Sequence, residues 1–68
     1  MFAKELHGEG HVKRFSIRES GKEGWEVREE QDNTVVRNVH YTDWHRVERA
    51  LHVFALQIGQ LEDRGWRS

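Results

Sequence analysis

Five histidines and a scatter of serines and paired acids are the groups in this chain that could do chemistry. His45 and His52 stand seven residues apart, two turns along one helical face, with Arg49 between them. A helical metal pair more often uses a four-residue spacing, as in H-E-x-x-H, which is absent. The Arg49 charge would also repel a cation. His7 and His11 have the four-residue spacing, but glycines surround them and no helical period does. A site built on them would need further Asp or Glu ligands, so no metal is expected. Glu29 and Glu30 are neighbours on a strand and must point to opposite faces, which excludes them as a catalytic pair. Ser16 and Ser20 have histidines elsewhere in the chain, but no spacing joins them. There is no G-x-S-x-G, no glycine-rich phosphate loop and no cysteine nucleophile. The reading is a non-enzyme with no cofactor, too thin for the pocket of about 300–1,000 Å³ that small-ligand sites occupy.

The elements that position these residues follow from hydrophobic period. Val12–Glu19 alternates, with Phe15 and Ile17 on one side and Arg14, Ser16 and Arg18 on the other, as a half-buried strand does. Ser20–Gly24 is a polar connection. Trp25 and Val27 then share a face opposite Glu26, Arg28 and Glu30. Asp32-Asn33 tolerates positive φ and predicts a two-residue turn. Thr34–Tyr41 is rich in β-branched residues. Its alternation puts Val35, Val39 and Tyr41 on the core face, Val36, Asn38 and His40 outside, and Arg37 snorkelling at the margin. Residues 1–11 read as either flexible or a short extra strand over Phe2–Leu6, ending in a glycine turn.

Trp44, Val47, Leu51, Phe54, Ile58 and Leu61 recur at spacings of three and four. They predict a C-terminal amphipathic helix of roughly 19–21 residues. Thr42 is the expected cap, Asp43 suits the positive end of the dipole, and Gly65 suits the left-handed stop. Trp66 has the chance to fold back on the domain. The fold class is α+β. A three-stranded antiparallel meander, four-stranded if the N-terminal segment joins, packs on one long C-terminal helix. The expected core is Phe15, Ile17, Trp25, Val27, Val35, Val39 and Tyr41 from the strands, with Trp44, Val47, Leu51, Phe54, Ile58 and Leu61 from the helix.

Residues 1–68 make one domain. A core this small supplies about 3–5 kcal/mol and is usually supplemented. With no cysteine, disulfides and thiolate zinc sites are excluded, which leaves tight packing or a partner subunit. The longest apolar run is Val53-Phe54-Ala55-Leu56, and no signal peptide or membrane span is visible, so a cytoplasmic protein is expected.

Two surfaces are candidates for binding. On the outer helix face, Leu56 points nearly opposite the core stripe and Val53 lies well off it. His45, Arg49 and His52 flank them. This face suits a protein partner, most simply a second copy in a homodimer. On the open sheet face, Arg14, Arg18, Arg28, Asn38 and His40 could meet nucleic acid, but Glu26 and Glu30 interrupt them. The overall balance of 11 basic against 12 acidic residues lacks the basic excess such binding draws on. The order of strands followed by one long helix, entered through Tyr41-Thr42-Asp43-Trp44, resembles in topology the small single-stranded-DNA-binding transcriptional coactivators over residues 12–61. That resemblance implies dimerisation through helices and binding through the sheet. It rests on element order and no motif, and assigns no family. The leading expectation is a non-catalytic protein-interaction or structural module, with a nucleic-acid-binding sheet as the alternative.

Overall fold

A computed structural model describes residues 2–68. Four strands, β1 (Phe2–Gly8), β2 (His11–Glu19), β3 (Trp25–Gln31) and β4 (Thr34–Tyr41), form an antiparallel sheet in sequential order, followed by α1 (Trp44–Asp63). The N-terminal segment is therefore a full strand, paired with β2 from Phe2↔Ile17 to Gly8↔His11. Of residues 1–11, only Met1 lies outside the described residues.

Each hairpin follows from local chemistry. Glu9-Gly10 and Asp32-Asn33 all have positive φ, the geometry that lets a two-residue turn match the strand twist. The Asp32 carboxylate staples its loop to the neighbouring one, accepting from the Val12 N–H at 2.9 Å and facing His11 Nδ1 at 2.8 Å. A short 3-10 turn, Gly21–Glu23, joins β2 to β3.

One face of the sheet carries Leu6, Phe15, Ile17 and Val27, and α1 sets Val47, Phe54 and Leu61 against them. The helix spans 20 residues, within the predicted length, and its cap corrects the expectation: Asp43, not Thr42, is the N-cap, accepting from the His45 N–H at 3.0 Å. Asp43 is the extended residue directly before the first helical one, so its carboxylate reaches the free amide of the first turn. Gly65, at φ 96°, provides the left-handed stop.

The helix starts over β3, where Trp44 meets Trp25 with ring centroids 5.1 Å apart. It crosses β2 with Phe54 on Phe15 at 4.9 Å and reaches Phe2 of β1 at 6.3 Å. Trp66 then folds back onto β1 and is buried, beside Gly8. Leu6 and Trp66 thus join the core, although the expected core contained neither.

Two expected core residues are displaced. Val35 is 47% exposed because a bulge shifts the register. Glu29 pairs with Arg37 but Glu30 pairs with Val35, so Val36 is the extra residue and Val35 turns to the open face. Trp44 is 43% exposed, since at the first helical position it packs on Trp25 by one side alone. Trp25, Val39 and Tyr41 sit on the core face half-buried, at the less covered end of the sheet.

Candidate interaction surfaces

The register brings the sheet-face candidates together. Arg14 lies opposite Glu30, Ser16 opposite Arg28 and Arg18 opposite Glu26 on β2 and β3, while Asn38 and His40 of β4 face Arg28 and Glu26. All five proposed residues share one surface. The acids share it too. Glu26 takes Arg18 Nε at 3.0 Å and Arg28 Nη2 at 3.5 Å, and accepts from Asn38 Nδ2 at 3.5 Å. Partial desolvation works to raise the Glu26 carboxyl, but the Arg28 charge and the Arg18 and Asn38 contacts outweigh it and hold its pKa below the usual value. The face is thus a charge-alternating surface, with its arginines at positions 18 and 28 already neutralised by their neighbours. It forms a shallow open depression of about 500 Å³.

At one end of this face Ser20 Oγ and His40 Nε2 are 2.8 Å apart. This is the contact of a hydroxyl with a base, and no sequence spacing revealed it because 20 residues separate the pair. The acid opposite His40, Glu26, is engaged with Arg18, Arg28 and Asn38. Among the described residues no three His, Asp or Glu side chains converge as metal ligands.

The helix candidates divide into two sets. His45, His52 and Leu56 are exposed on the outermost line of α1, with Leu56 at 56%. Val53, and Arg49 at the margin of that line, turn towards β4, where they line a groove of about 400 Å³ with Arg37, Tyr41, Asp43, Arg46 and Ala50. His45 stands at the end of that groove, and Val27 and Phe54 contribute to its wall. The groove exists because α1 runs diagonally towards β1 and leaves part of the core face of β4 uncovered. Sequence period placed Val53 and Arg49 off the core stripe; which strand they approach depends on the crossing direction.

The outer line continues past the predicted residues. His45, Arg49, His52, Leu56, Gly59 and Asp63 follow one another at spacings of four and three. Gly59 costs helix propensity, about 1 kcal/mol relative to alanine. A Cβ built there would meet nothing within 4 Å, so packing inside the chain does not require a glycine.

The two edges of the sheet differ. On β1, His7 and Arg67 exchange backbone hydrogen bonds of 2.6 and 2.9 Å, so the C-terminal tail covers part of that edge. On the far edge, β4 pairs with β3 alone among the described residues. No helix of the described residues is long and apolar enough to cross a membrane. Compared with known proteins, the chain matches no family model, no curated protein and no solved structure.

Proposed function

We propose that the chain is a non-catalytic protein-interaction module that pairs with a second copy through the outer line of α1. The observation that carries this reading is the self-complementary layout of that line around Leu56. Arg49 lies seven residues before Leu56 and Asp63 seven residues after it. An antiparallel twofold pairing centred on Leu56 sets Leu56 against its own copy and Arg49 against Asp63 of the second chain. The same register sets Val53 opposite Gly59, where a missing side chain allows close approach. The small core gives such an interface a stabilising role. The residues assigned to it are His45, Arg49, His52, Val53 and Leu56, joined by Gly59 and Asp63.

The alternative, a nucleic-acid-binding module using Arg14, Arg18, Arg28, Asn38 and His40, has less support, because Glu26 and Glu30 lie among those cations. Polyanion affinity on such a face would fall steeply with salt.

Light scattering over a concentration series, on the wild type and on Leu56→Arg, tests the reading. A wild-type dimer that Leu56→Arg dissociates is the expected result. A wild type that stays monomeric throughout overturns it. A second comparison removes any ambiguity from misfolding. Arg49→Asp and Asp63→Arg should each weaken the dimer, and the two together should restore it.

A further inference from the structure

We infer that the groove between β4 and α1 captures an acidic polypeptide segment in extended conformation, laid along the free edge of β4. Three independent features of the groove meet in this ligand. The first is charge. Arg37 and Arg46 face the groove from its two sides, with Arg49 at the rim it shares with the outer line of the helix. None of the three makes an ion pair with a described residue, whereas Arg18, Arg28 and Arg64 all do. Two acids stand close: Asp43 lines the groove at the helix start, where its carboxylate accepts from the His45 N–H as the helix cap, and Glu29, across the ladder from Arg37, is held by Lys13 at 3.4 Å. Three arginines against the single Asp43 carboxylate give the groove a net positive charge in a chain that is balanced overall.

The second feature is the floor. Val27, Ala50, Val53 and Phe54 supply apolar surface between the arginines, a match for side chains that alternate acidic and apolar along a strand. The third is the backbone. Among the described residues the β4 edge has no strand neighbour on its outer side, while the β1 edge is partly occupied by the chain's own tail. Strand addition takes its affinity from such an edge and its selectivity from alternate side-chain pockets. The bulge at Val36 ends regular pairing at one end, so the segment available to a partner is Arg37–Tyr41. A nucleic acid could use the arginines but neither the edge nor the apolar floor.

This surface shares His45, Arg49 and Val53 with the proposed dimer line but not Leu56, and Arg37 and Arg46 belong to the groove alone, so Leu56→Arg tests the pairing while Arg37→Glu and Arg46→Glu test the groove. The probe is a fluorescein-labelled ten-residue peptide of alternating glutamate and valine, followed by fluorescence polarisation with the full chain. A lysine–valine peptide of the same length and an oligo-thymidine of equal charge serve as comparisons. The expected result is binding of the glutamate–valine peptide alone, weakened at least about tenfold by Arg46→Glu and by Arg37→Glu, and retained by Leu56→Arg. Amide resonances of Arg37–Tyr41 should shift on titration. Equal binding of the oligo-thymidine would overturn the proposal in favour of a general polyanion surface. Failure of the glutamate–valine peptide to bind, or shifts confined to Arg14 and Arg28 on the open sheet face, would overturn it outright.

Discussion

The indole of Trp66 occupies the space in which a side chain at position 8 would stand. A Cβ built on Gly8 falls inside van der Waals contact with Cγ, Cδ1 and Cδ2 of that ring. The glycine is therefore a receptor for the tryptophan, and the last residues of the chain are part of the core. The latch is completed by Glu9, whose carboxylate accepts from Trp66 Nε1 at 2.6 Å and from Arg64 Nη2 at 2.5 Å.

Gly8→Val should expel the indole and destabilise the fold by as much as Trp66→Ala, about 3–5 kcal/mol for loss of a buried aromatic. Urea unfolding of both variants, and of the pair combined, checks this. The double variant should be little worse than either single one, because both remove the same contact. Additive losses would mean that Gly8 and Trp66 act separately.

The latch should open in acid. The hydrogen bond from Trp66, and next the one from Arg64, hold the Glu9 carboxyl below its ordinary value of 4.5. A group whose native pKa is depressed contributes its full share above the unfolded-state value, and that share is lost as pH falls through the lowered native value. The Trp66 indole N–H resonance should therefore hold steady near neutrality and shift only as pH falls below the ordinary 4.5, through the lowered native value. In Glu9→Gln it should show no such acid transition. Asp32, lowered by the Val12 amide and by His11, adds to the acid sensitivity in the same direction.

The bulge predicts a contrast between positions that hydropathy does not distinguish. Val35→Thr should change stability by no more than about 0.5 kcal/mol, because the side chain lies on the open face. Phe54→Ala, which removes the ring packed on Phe15 and Phe2, should cost about 3–5 kcal/mol. Thermal unfolding of the two variants makes the comparison. A Val35 variant as damaging as the Phe54 one would place Val35 in the core.

Lys13 and Glu29 form a half-buried ion pair on the core side of the sheet, with Lys13 Nζ also 5.9 Å from the centre of the Phe15 ring. Lys13→Met alone should leave Glu29 without its partner and cost about 1–3 kcal/mol. Lys13→Met with Glu29→Leu should recover most of that loss, since a well-packed apolar pair can match a partly buried ionic one. A double-mutant cycle in denaturant measures the coupling.

Gly59→Ala and Gly59→Leu separate the helix from the interface. Alanine should raise helix stability by up to about 1 kcal/mol, since its methyl meets nothing inside the chain. Leucine should leave the monomer folded and lower the dimerisation constant by obstructing close approach. Circular dichroism and sedimentation equilibrium read the two effects independently.

Period alone made most of the architecture legible. Phe15 and Ile17 alternate with arginines, the stripe from Val47 to Leu61 recurs at helical spacing, and Asp32-Asn33 is a turn by its own backbone preference. These are local properties, fixed by which residues neighbour one another along the chain. The helix face carrying Leu56 was legible for the same reason, being the complement of the core stripe.

Tertiary structure decided what depends on residues distant in sequence. The bulge at Val36 is settled by how β4 registers against β3, and it reverses the side on which Val35 lies. The burial of Leu6 and Trp66 requires the tail to meet β1, with Trp66 standing 58 positions beyond Gly8 in the chain. The arginine groove exists because the helix crosses the sheet towards β1, bringing Arg37 and Arg46 to one opening. Nothing in a local pattern fixes that crossing. It is set by the fit of Phe54 between Phe15 and Phe2 and by the capture of Trp66 at Gly8, contacts that form when the whole chain packs.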